Sequence, residues 1–538
     1  MSQASNQKRL FLGCFIGLVA TAFGFAVRGA VLKDWELQFG LTEEQKGIIG
    51  GVGLFPFAIS IILLSLVVDR IGYGTTMALA FVGHLASAIL TIFAPNFQVL
   101  YIATFVYALS NGAVEAVINP VVATIHRENK THWLNILHAG WPGGLVLGGL
   151  LSILVVTLVG PDGVSANEAG AVAAQGFRPW QWQMTVLLLP ILAYGAILFG
   201  QKFPQQERVE AGVSFRAMLE EFGWASAYIV SFLIIMGISQ MLKVFNLEEI
   251  RPLQALAYAL IPTFVFAFFI RSFGRPMFVF LMLVMFLLAT TELGTDGWIQ
   301  DIIGSVRQSP TTGTWFLVYT SAIMFVLRFF AGPIVHRVSP LGLLAISAAI
   351  AAVGLTWLGN AGTTLGMLLA AATLYAFGKT FFWPTTLGVV SEQYPKGGAL
   401  LLNAISGVGM ISIGTIGGPA IGTLQDQSLA AAVSHEMPEQ YETIKKSVDG
   451  QFYTYEAVDA STITSLPQEA RNRVEGLQRE TKQKALAKIA VLPAIMCVCY
   501  LALIVYFKSK GGYQAEVLTG HAANDEKFTG GTVGPGEG

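Results

Sequence analysis

The sequence has little charge. Of its 538 residues only 12% are charged, about half the share of an ordinary soluble domain, whereas 54% are apolar. The 32 basic side chains balance 33 acidic ones, so the net charge is -1 and no basic excess is present for binding nucleic acid. The composition therefore argues against an ordinary soluble domain and against a nucleic-acid partner, and it indicates a protein embedded in the lipid bilayer.

The sequence also has few cysteines and lacks the short motifs of common enzymes. Its three cysteines, Cys14, Cys497 and Cys499, fall within apolar runs and indicate inert buried thiols. No G-x-x-x-x-G-K-S/T loop, zinc-ligand spacing or serine-nucleophile elbow is present. We therefore expect no enzymatic activity, no metal and no cofactor.

Long apolar segments dominate what is present. A membrane-spanning helix needs about 20 apolar residues, and these segments are too long and too uniformly apolar for barrel strands. The sequence therefore predicts an all-α polytopic membrane protein with fourteen spans. The predicted spans lie near 10–31, 46–68, 75–94, 99–125, 133–159, 183–200, 222–243, 253–271, 276–301, 313–335, 340–359, 364–390, 398–424 and 487–507.

Lysine and arginine between the spans predict the orientation. With the N-terminus inside, the inner links hold fourteen basic residues and the short outer links hold six, as the positive-inside rule requires. No small-residue cleavage site follows the first apolar run, so we expect that run to remain as a helix. The sequence predicts a plasma (inner) membrane protein with cytoplasmic termini, an outer polar loop at 426–484 that is helical from Pro467 onward, and a cytoplasmic tail at 508–538.

The second half of the chain repeats features of the first. VVDRIGYG at 67–74 follows the second span, and IVHRVSPLG at 334–342 follows the second span of the later half. Arg28-Gly29 matches Asp296-Gly297, and the interval between them is the same as the interval from Asn135 to Asn403.

A charged residue before a proline gives a further match. Glu115 precedes Pro120 as Lys379 precedes Pro384, at a slightly shorter interval. Transporters are often built from such repeats, with the solute site at their interface. We predict two six-helix bundles, 1–200 and 276–507, joined by a cytoplasmic link and two extra helices within 201–275.

Several of these motifs occur in one known family. The loop with Asp69, Arg70 and Gly72 resembles the cytoplasmic signature of the major facilitator superfamily. NGAVEAVINP at 111–120, LN at 134–135, TELGTDGWIQ at 291–300 and WPT at 383–385 resemble its fucose and glucose/galactose permease branch. The sequence departs from that branch in the first helix, where Arg28 stands beside the position of an acidic residue.

The resemblance implies a fold and a mechanism. It implies the major facilitator fold, solute transport by alternating access, and a cavity lined by the first and fourth helices of each half. It also implies that Asp69 and Arg70 take part in a charge relay that gates the cavity. By the repeat, Arg337 would have the corresponding gating position in the later half.

Ionisable residues within spans mark the candidate site, because each costs about 2.5–3.5 kcal/mol at the centre of a helix. In the cavity that the resemblance implies, Arg28 would pair with Glu115, and Asp296 with Lys379. Glu292 precedes Asp296 by four residues and would line the path on the same face. Arg328 is expected to extend to the cytoplasmic interface, with a structural or gating role. An alternative interpretation is that these are permanent ion pairs that never contact solute.

Amide, imidazole and indole groups near these charges suit a hydroxylated ring. The leading hypothesis is a monomeric transporter of a sugar, polyol or sugar acid, with symport driven by protons, or by sodium, and with Glu115 as the protonation site. The alternatives are a drug/proton antiporter with fourteen helices and a non-transporting membrane sensor or scaffold. The remaining candidate binding residues are Asn119, Asn135, His138, Trp298, Trp383 and Asn403.

Overall fold

The chain forms a bundle of long helices. The computed structural model describes residues 3–39, 41, 49, 52–159, 177–244, 247–308, 310–450, 453–459 and 462–516. Within these residues, 12 helical segments are long and apolar enough to cross a membrane. The apolar helix Phe55–Ile71 and the shorter apolar stretch Trp315–Arg328 lie between them, so the arrangement is compatible with the fourteen predicted spans.

The N-terminal half contains nine described helices and a 3-10 turn, Arg127–Asn129. Several crossings consist of two helices separated by a short break. The helices are α1 Gln3–Ala30, α2 Leu32–Phe39, α3 Phe55–Ile71, α4 Tyr73–Ile92, α5 Phe97–Ile125, α6 Lys130–His138, α7 Gly140–Val159, α8 Pro179–Thr185 and α9 Leu188–Leu198.

The link and the C-terminal half follow. The link holds α10 Glu207–Glu210, α11 Phe215–Val244 and α12 Pro252–Ile270. Two π-helical segments, Thr290–Gly294 and Ile413–Gly417, interrupt the later bundle, and a 3-10 turn, Pro395–Gly397, precedes α19. The helices of this bundle are α13 Pro276–Ala289, α14 Thr295–Arg307, α15 Pro310–Arg328, α16 Ala331–Gly359, α17 Leu365–Lys379, α18 Phe382–Gln393 and α19 Gly398–Ser412.

The predicted outer loop is a small folded unit with its own apolar core, which includes Val433, Ile444 and Val474. Its antiparallel hairpin departs from the all-α prediction, whereas its final helix begins close to Pro467 as predicted. The unit comprises α20 Gly418–Glu436, α21 Pro438–Ile444, β1 Lys445–Asp449, β2 Thr454–Val458, a 3-10 turn Ile463–Ser465 and α22 Gln468–Ile489, and it is followed by α23 Val491–Ser509.

Both ends of the described chain lie at one end of the bundle, here called the N-terminal end. Asn6 donates a hydrogen bond to the carbonyl of Lys202 there, with 2.9 Å between nitrogen and oxygen. The first residues of the predicted span 46–68 and the predicted tail beyond residue 516 lie outside the described residues.

Glycines allow α7 to approach α1 closely. Gly140, Gly144 and Gly148 recur every four residues and so share one face of α7. A Cβ on Gly144 would lie 2.5 Å from the carbonyl oxygen of Val19, closer than van der Waals contact allows. Small residues at such positions let membrane helices pack tightly.

We predict that Gly144→Ala separates α1 from α7 and lowers stability by about 1–3 kcal/mol, because the clash is with backbone. The control is Gly149→Ala, whose Cβ would lie 3.6 Å from Val318 Cγ2 in ordinary contact. Thermal unfolding of the purified protein in detergent should show a lower midpoint for the first variant alone. Equal midpoints would contradict the close packing.

Candidate functional site

Arg328 lies at the centre of the candidate site. It ends α15, and the chain turns at residues 329–330 before α16 begins, so the guanidinium points into the bundle with only 1% of the residue exposed. Nη2 lies 3.0 Å from Glu292 Oε1, Nε donates to the carbonyl of Thr380 at 2.9 Å, and Nη1 donates to the carbonyl of His138. The prediction that Arg328 extends to the membrane surface is wrong, because the guanidinium is buried and bonded to groups inside the bundle.

A π-helical turn holds Glu292. Thr290–Gly294 inserts one extra residue into the helix that continues as α14, and such turns are frequent at functional sites. The turn helps explain why Glu292 and Asp296 have different partners although they are four residues apart: Glu292 binds Arg328 and Asp296 binds Lys379. Glu292 Oε2 is buried without a hydrogen-bond partner.

The predicted pair of Asp296 and Lys379 is present. Lys379 Nζ donates to Asp296 Oδ1, and the ammonium lies 5.1 Å from the centre of the Tyr375 ring. The lysine is fully buried, so its charge depends on this carboxylate.

The predicted pair of Arg28 and Glu115 is absent. Arg28 Nη2 instead donates to Ser87 Oγ at 2.8 Å and Nη1 to Thr104 Oγ1 at 3.4 Å, and the guanidinium lies 4.6 Å from the centre of the Tyr107 ring. Thr104 and Glu115 are eleven residues apart on α5, which at 1.5 Å per residue is about 16 Å along the helix. The arginine is therefore some three turns from the carboxylate.

Two tyrosines explain why the predicted pairing of Arg28 with Glu115 is wrong. The Tyr107 hydroxyl donates to the carbonyl of Thr21, and the Tyr375 hydroxyl donates to the carbonyl of Thr291 at 2.6 Å, so both link the fourth helix of a half to its first. The two tyrosines are separated by the same interval as Arg28 and Asp296, and at that interval Lys379 corresponds to Asn111. The predicted match of Glu115 with Lys379, at the shorter interval, was one helical turn out of register.

Glu115 begins a chain of polar side chains. Its Oε2 accepts a hydrogen bond from Asn119 Nδ2 at 2.7 Å, and Asn119 Oδ1 lies 2.9 Å from His138 Nε2. The His138 carbonyl accepts from Arg328. The carboxylate of the N-terminal half is thus connected to the arginine of the C-terminal half through two intermediate residues.

These groups surround a cavity of about 270 Å³ between the halves. The sequence predicted four of its lining residues, Glu115, His138, Glu292 and Trp383, as binding residues. It placed Arg328 at the membrane interface instead, and it missed Trp141, Leu293 and Met410. Trp141 lies in the glycine-rich run at 140–149, whose composition indicates packing and hides its contribution to the cavity. The lining consists of Glu115, His138, Trp141, Glu292, Leu293, Arg328, Trp383 and Met410.

Asn135 and Asn403 join the halves and are not among the cavity-lining residues. Asn135 Nδ2 donates to Thr385 Oγ1 at 3.2 Å, and Asn403 Nδ2 donates to the carbonyl of Ala116 at 3.0 Å. Each asparagine therefore contacts the fourth transmembrane helix of the opposite half. Both asparagines lie a few residues from the N-terminal end of the bundle. This symmetric pair therefore lies between the cavity and that end.

Trp298 is also separate from the cavity lining. Its ring lies 3.6 Å from the position that a Cβ on Gly422 would occupy, at the start of α20. Beside it, Gly297 is exposed, as is its repeat partner Gly29, and among the described residues nothing lies within 4 Å of a Cβ built on either glycine. In the described part of the bundle, these two glycines mark the more open end, opposite the N-terminal end.

Charged and polar groups close the N-terminal end. Asp69 Oδ2 accepts a hydrogen bond from Nη2 of Arg208. Arg208 lies in the link, and no sequence motif indicated its role. Arg70 lies 4.9 Å from the centre of the Phe215 ring, and Arg337 is exposed. Of the predicted gating residues, Asp69, Arg70 and Arg337 are thus at this end, whereas Arg328 lines the cavity. Asp69 binds the link.

Further contacts cross between the halves at this end. Lys130 Nζ lies 2.7 Å from Glu207 Oε2 and 3.3 Å from the carbonyl of Ser391. Thr131 Oγ1 donates to Glu392 Oε1 at 2.5 Å. Neither Thr131 nor Glu392 was predicted, because an isolated hydroxyl or carboxylate at a helix end gives no sequence signal.

The described residues contain no group of three or more histidine, cysteine, aspartate or glutamate side chains placed to hold a metal ion. The chemistry available in the cavity is therefore that of two carboxylates, one guanidinium, an imidazole and two indole rings.

The sequence is similar to known transporters. The family model described as Major Facilitator Superfamily matches residues 14–291. A probable 4-methylmuconolactone transporter of Cupriavidus pinatubonensis is 27% identical over 158 residues, which are 29% of this chain and 35% of that protein. A gentisate transporter of Corynebacterium glutamicum is 22% identical over 207 residues, or 38% and 42% of the two chains. The chain therefore matches less than half the length of either relative.

Solved structures share the fold over nearly the whole chain. FucP in its outward conformation superposes with a TM-score of 0.58 at 14% identity, covering 91% of this chain and 98% of its own. The proton:xylose symporter XylE superposes with a TM-score of 0.59 at 12% identity, covering 92% and 95%. The predicted major facilitator fold is confirmed.

We predict that Asp296→Asn destabilises the protein by about 3 kcal/mol, because it leaves the Lys379 ammonium buried without a counter-charge. Adding Lys379→Met should restore most of the loss. The matched control is Lys484→Gln, which breaks an exposed pair with Glu480 and should change stability by less than about 1 kcal/mol. Thermal unfolding in detergent measures all three, and an Asp296→Asn variant as stable as the control would contradict the pairing.

Proposed function

Because the chain belongs to the major facilitator superfamily and is a multi-pass membrane transporter, we propose that it imports a small polar solute together with protons. The solute is a sugar, polyol or organic acid, the last class including sugar acids. It passes through the cavity between the halves by alternating access. The termini are cytoplasmic, and the membrane is the plasma membrane.

The environment of Glu115 is the observation that carries this proposal. Its carboxyl group is buried, with 2% of the residue exposed, and its side-chain hydrogen bond comes from the neutral amide of Asn119. Within the described part of the chain, no lysine or arginine bonds to it. An ionised carboxylate buried without a cation is costly, and a bound proton removes that charge.

Charge balance then couples the proton to the solute. With Glu115 and Glu292 ionised and Arg328 charged, the lining carries two negative charges and one positive charge, a net charge of -1. A proton on Glu115 makes the lining neutral. Like charges repel strongly in a medium of low dielectric, so an acidic solute enters more readily when Glu115 is protonated, and it therefore travels with the proton.

The aromatic rings of the cavity limit the solute. Trp141 and Trp383 both line it, and aromatic faces pack well against the apolar faces of sugar and aromatic rings. A solute with a ring is therefore favoured, which fits the acids for which the two relatives are named.

The contacts between the halves support alternating access. Thr131 with Glu392, and Asn135 with Thr385, close the N-terminal end by single hydrogen bonds. Such bonds contribute about 0.5–1.5 kcal/mol each, or about 1.5–3 kcal/mol where one partner is charged, so the binding energy of a solute is large enough to break both of them. Gly29 and Gly297 are exposed and lie toward the opposite end of the bundle.

The inserted helices α11 and α12 favour a second candidate function, that of a drug/proton antiporter. The cavity does not favour it, because its buried charges suit a polar solute better than an apolar drug. Proteoliposomes with an imposed proton gradient distinguish the two candidates by the direction of flux, since symport follows the proton inward and antiport opposes it.

We predict that Glu115→Gln abolishes the accumulation of solute driven by a proton gradient while exchange of solute across the membrane continues. The amide is neutral at every pH and neither binds nor releases the proton. The measurement is uptake of radiolabelled gentisate, gluconate and xylose into proteoliposomes, with and without the gradient.

Glu475→Gln is the control for this prediction, because Glu475 is exposed on α22. It should accumulate solute as the wild type does. A Glu115→Gln protein that reconstitutes normally and still accumulates solute fully in response to the gradient would remove Glu115 from the proposed role.

A further inference from the structure

We infer that Arg28 forms an outer anion subsite that receives the carboxylate of the solute before the solute reaches the central cavity. The inference rests on the proposed function, because it adds a carboxylate to the solute that the protein is proposed to carry. The subsite consists of Arg28, Ser87, Thr104, Tyr107 and Asn111, and it lies in the N-terminal half.

The guanidinium of Arg28 is buried among neutral partners. The residue is 7% exposed, and it binds two hydroxyl groups, those of Ser87 and Thr104, and the face of the Tyr107 ring. Its Nε is buried without a hydrogen-bond partner. A buried charge without a counter-charge is unfavourable, so this arrangement favours the binding of an anion.

The C-terminal half shows what satisfies a cation in the related position. There the ammonium of Lys379 lies over the ring of Tyr375 and binds Asp296. In the N-terminal half Arg28 lies over Tyr107 in the same way. At the interval that relates the two tyrosines, Asp296 corresponds to Arg28 itself, so the N-terminal half has the cation and the ring but no carboxylate at the position that corresponds to Asp296.

Asn111 supplies a second donor. It corresponds to Lys379 and shares a face of α5 with Thr104 and Tyr107, at spacings of three and four residues. Its Oδ1 lies 2.8 Å from His84 Nε2, and its Nδ2 is buried without a partner. Two unsatisfied groups, both donors, therefore flank Tyr107, and a carboxylate offers only acceptors.

Among the described residues, the neighbouring elements contribute no acidic group that contacts Arg28 or Asn111. His84 on α4 lies 3.0 Å from the hydroxyl of Tyr194 on α9, and its other ring nitrogen faces Asn111. The described side chains that contact Arg28 and Asn111 are therefore neutral or titrate only as bases or phenols. The fork of the guanidinium matches the two oxygens of a carboxylate.

The position of the subsite fits an entry route. Gly29, next to Arg28, is exposed toward the open end. On the other side, the Tyr107 ring contacts Phe25 at 5.9 Å and Phe25 contacts Trp141 at 5.6 Å between ring centres. Since Trp141 lines the cavity, a row of aromatic rings connects the subsite with it.

The test measures binding of the solute and not its transport. Its result therefore does not depend on whether transport is coupled to protons. The wild-type protein is placed in phosphatidylcholine nanodiscs, and its thermal unfolding is followed with benzoate or benzamide and with gluconate or glucose. At least one acid should stabilise the protein while its neutral counterpart does not. Equal effects of acid and neutral counterpart, or no effect of any of the four compounds, would overturn the inference.

Variants of Arg28 test whether this residue binds the acid. Arg28→Gln should weaken binding of the stabilising acid at least tenfold, whereas Arg28→Lys should retain part of it, because an ammonium keeps the charge without the fork. Arg307→Gln, which alters an exposed arginine on α14, is the control and should bind the acid normally. Unchanged binding by Arg28→Gln would overturn the assignment.

A third variant keeps the test decisive if Arg28→Gln does not fold. Asn111→Asp introduces a carboxylate one helical turn beyond the Tyr107 ring that Arg28 contacts, so it should raise the unfolding midpoint and prevent stabilisation by the acid. Retained acid binding in this variant would overturn the inference. Stabilisation by phosphatidylglycerol in the nanodisc, with none by the acids, would also overturn it, because it would identify a lipid headgroup as the ligand.

Discussion

The site depends on the bonds that Arg328 makes in the middle of the bundle. A single guanidinium binds the carboxylate of Glu292 and the carbonyl of Thr380 in its own half, and the carbonyl of His138 in the other half. Because this charge is buried, its partners must stay close to it. The helix break after Arg328 and the π turn at Glu292 both serve this contact, and the cavity lies beside it.

The two kinds of contact between helices differ in strength, and this difference permits movement. Buried ion pairs such as Asp296 with Lys379 lie within one half and hold its helices together. The contacts of Asn135 and Asn403 cross between the halves as single neutral hydrogen bonds. Each half is therefore held internally by buried ion pairs, whereas the halves are joined at the N-terminal end by hydrogen bonds, two of which involve the ionisable groups of Lys130 and Glu392. Rigid halves with a separable interface are what alternating access requires.

The sequence predicted the helices, the repeat and half of the lining residues because hydrophobic length and buried charge leave clear patterns. It paired Arg28 with Glu115 wrongly because a four-residue shift between repeats moves a side chain by one turn, about 6 Å, and short motifs do not resolve that shift. It misjudged Arg328 because a helix break is not visible in an apolar run. Thr131 and Glu392 were missed because the meeting of two distant helix ends is a property of the tertiary fold alone.

The central claim is that the cavity opens at one end while it closes at the other. Spin labels on Gly29→Cys and Gly297→Cys report the open end, and labels on the exposed positions Thr75→Cys and Arg337→Cys report the N-terminal end. Native Cys14, Cys497 and Cys499 are replaced by serine in both pairs. When solute is added at acidic pH, the account predicts that one distance shortens as the other lengthens. Distances that change in the same direction, or that both stay fixed with a bound solute, would contradict it.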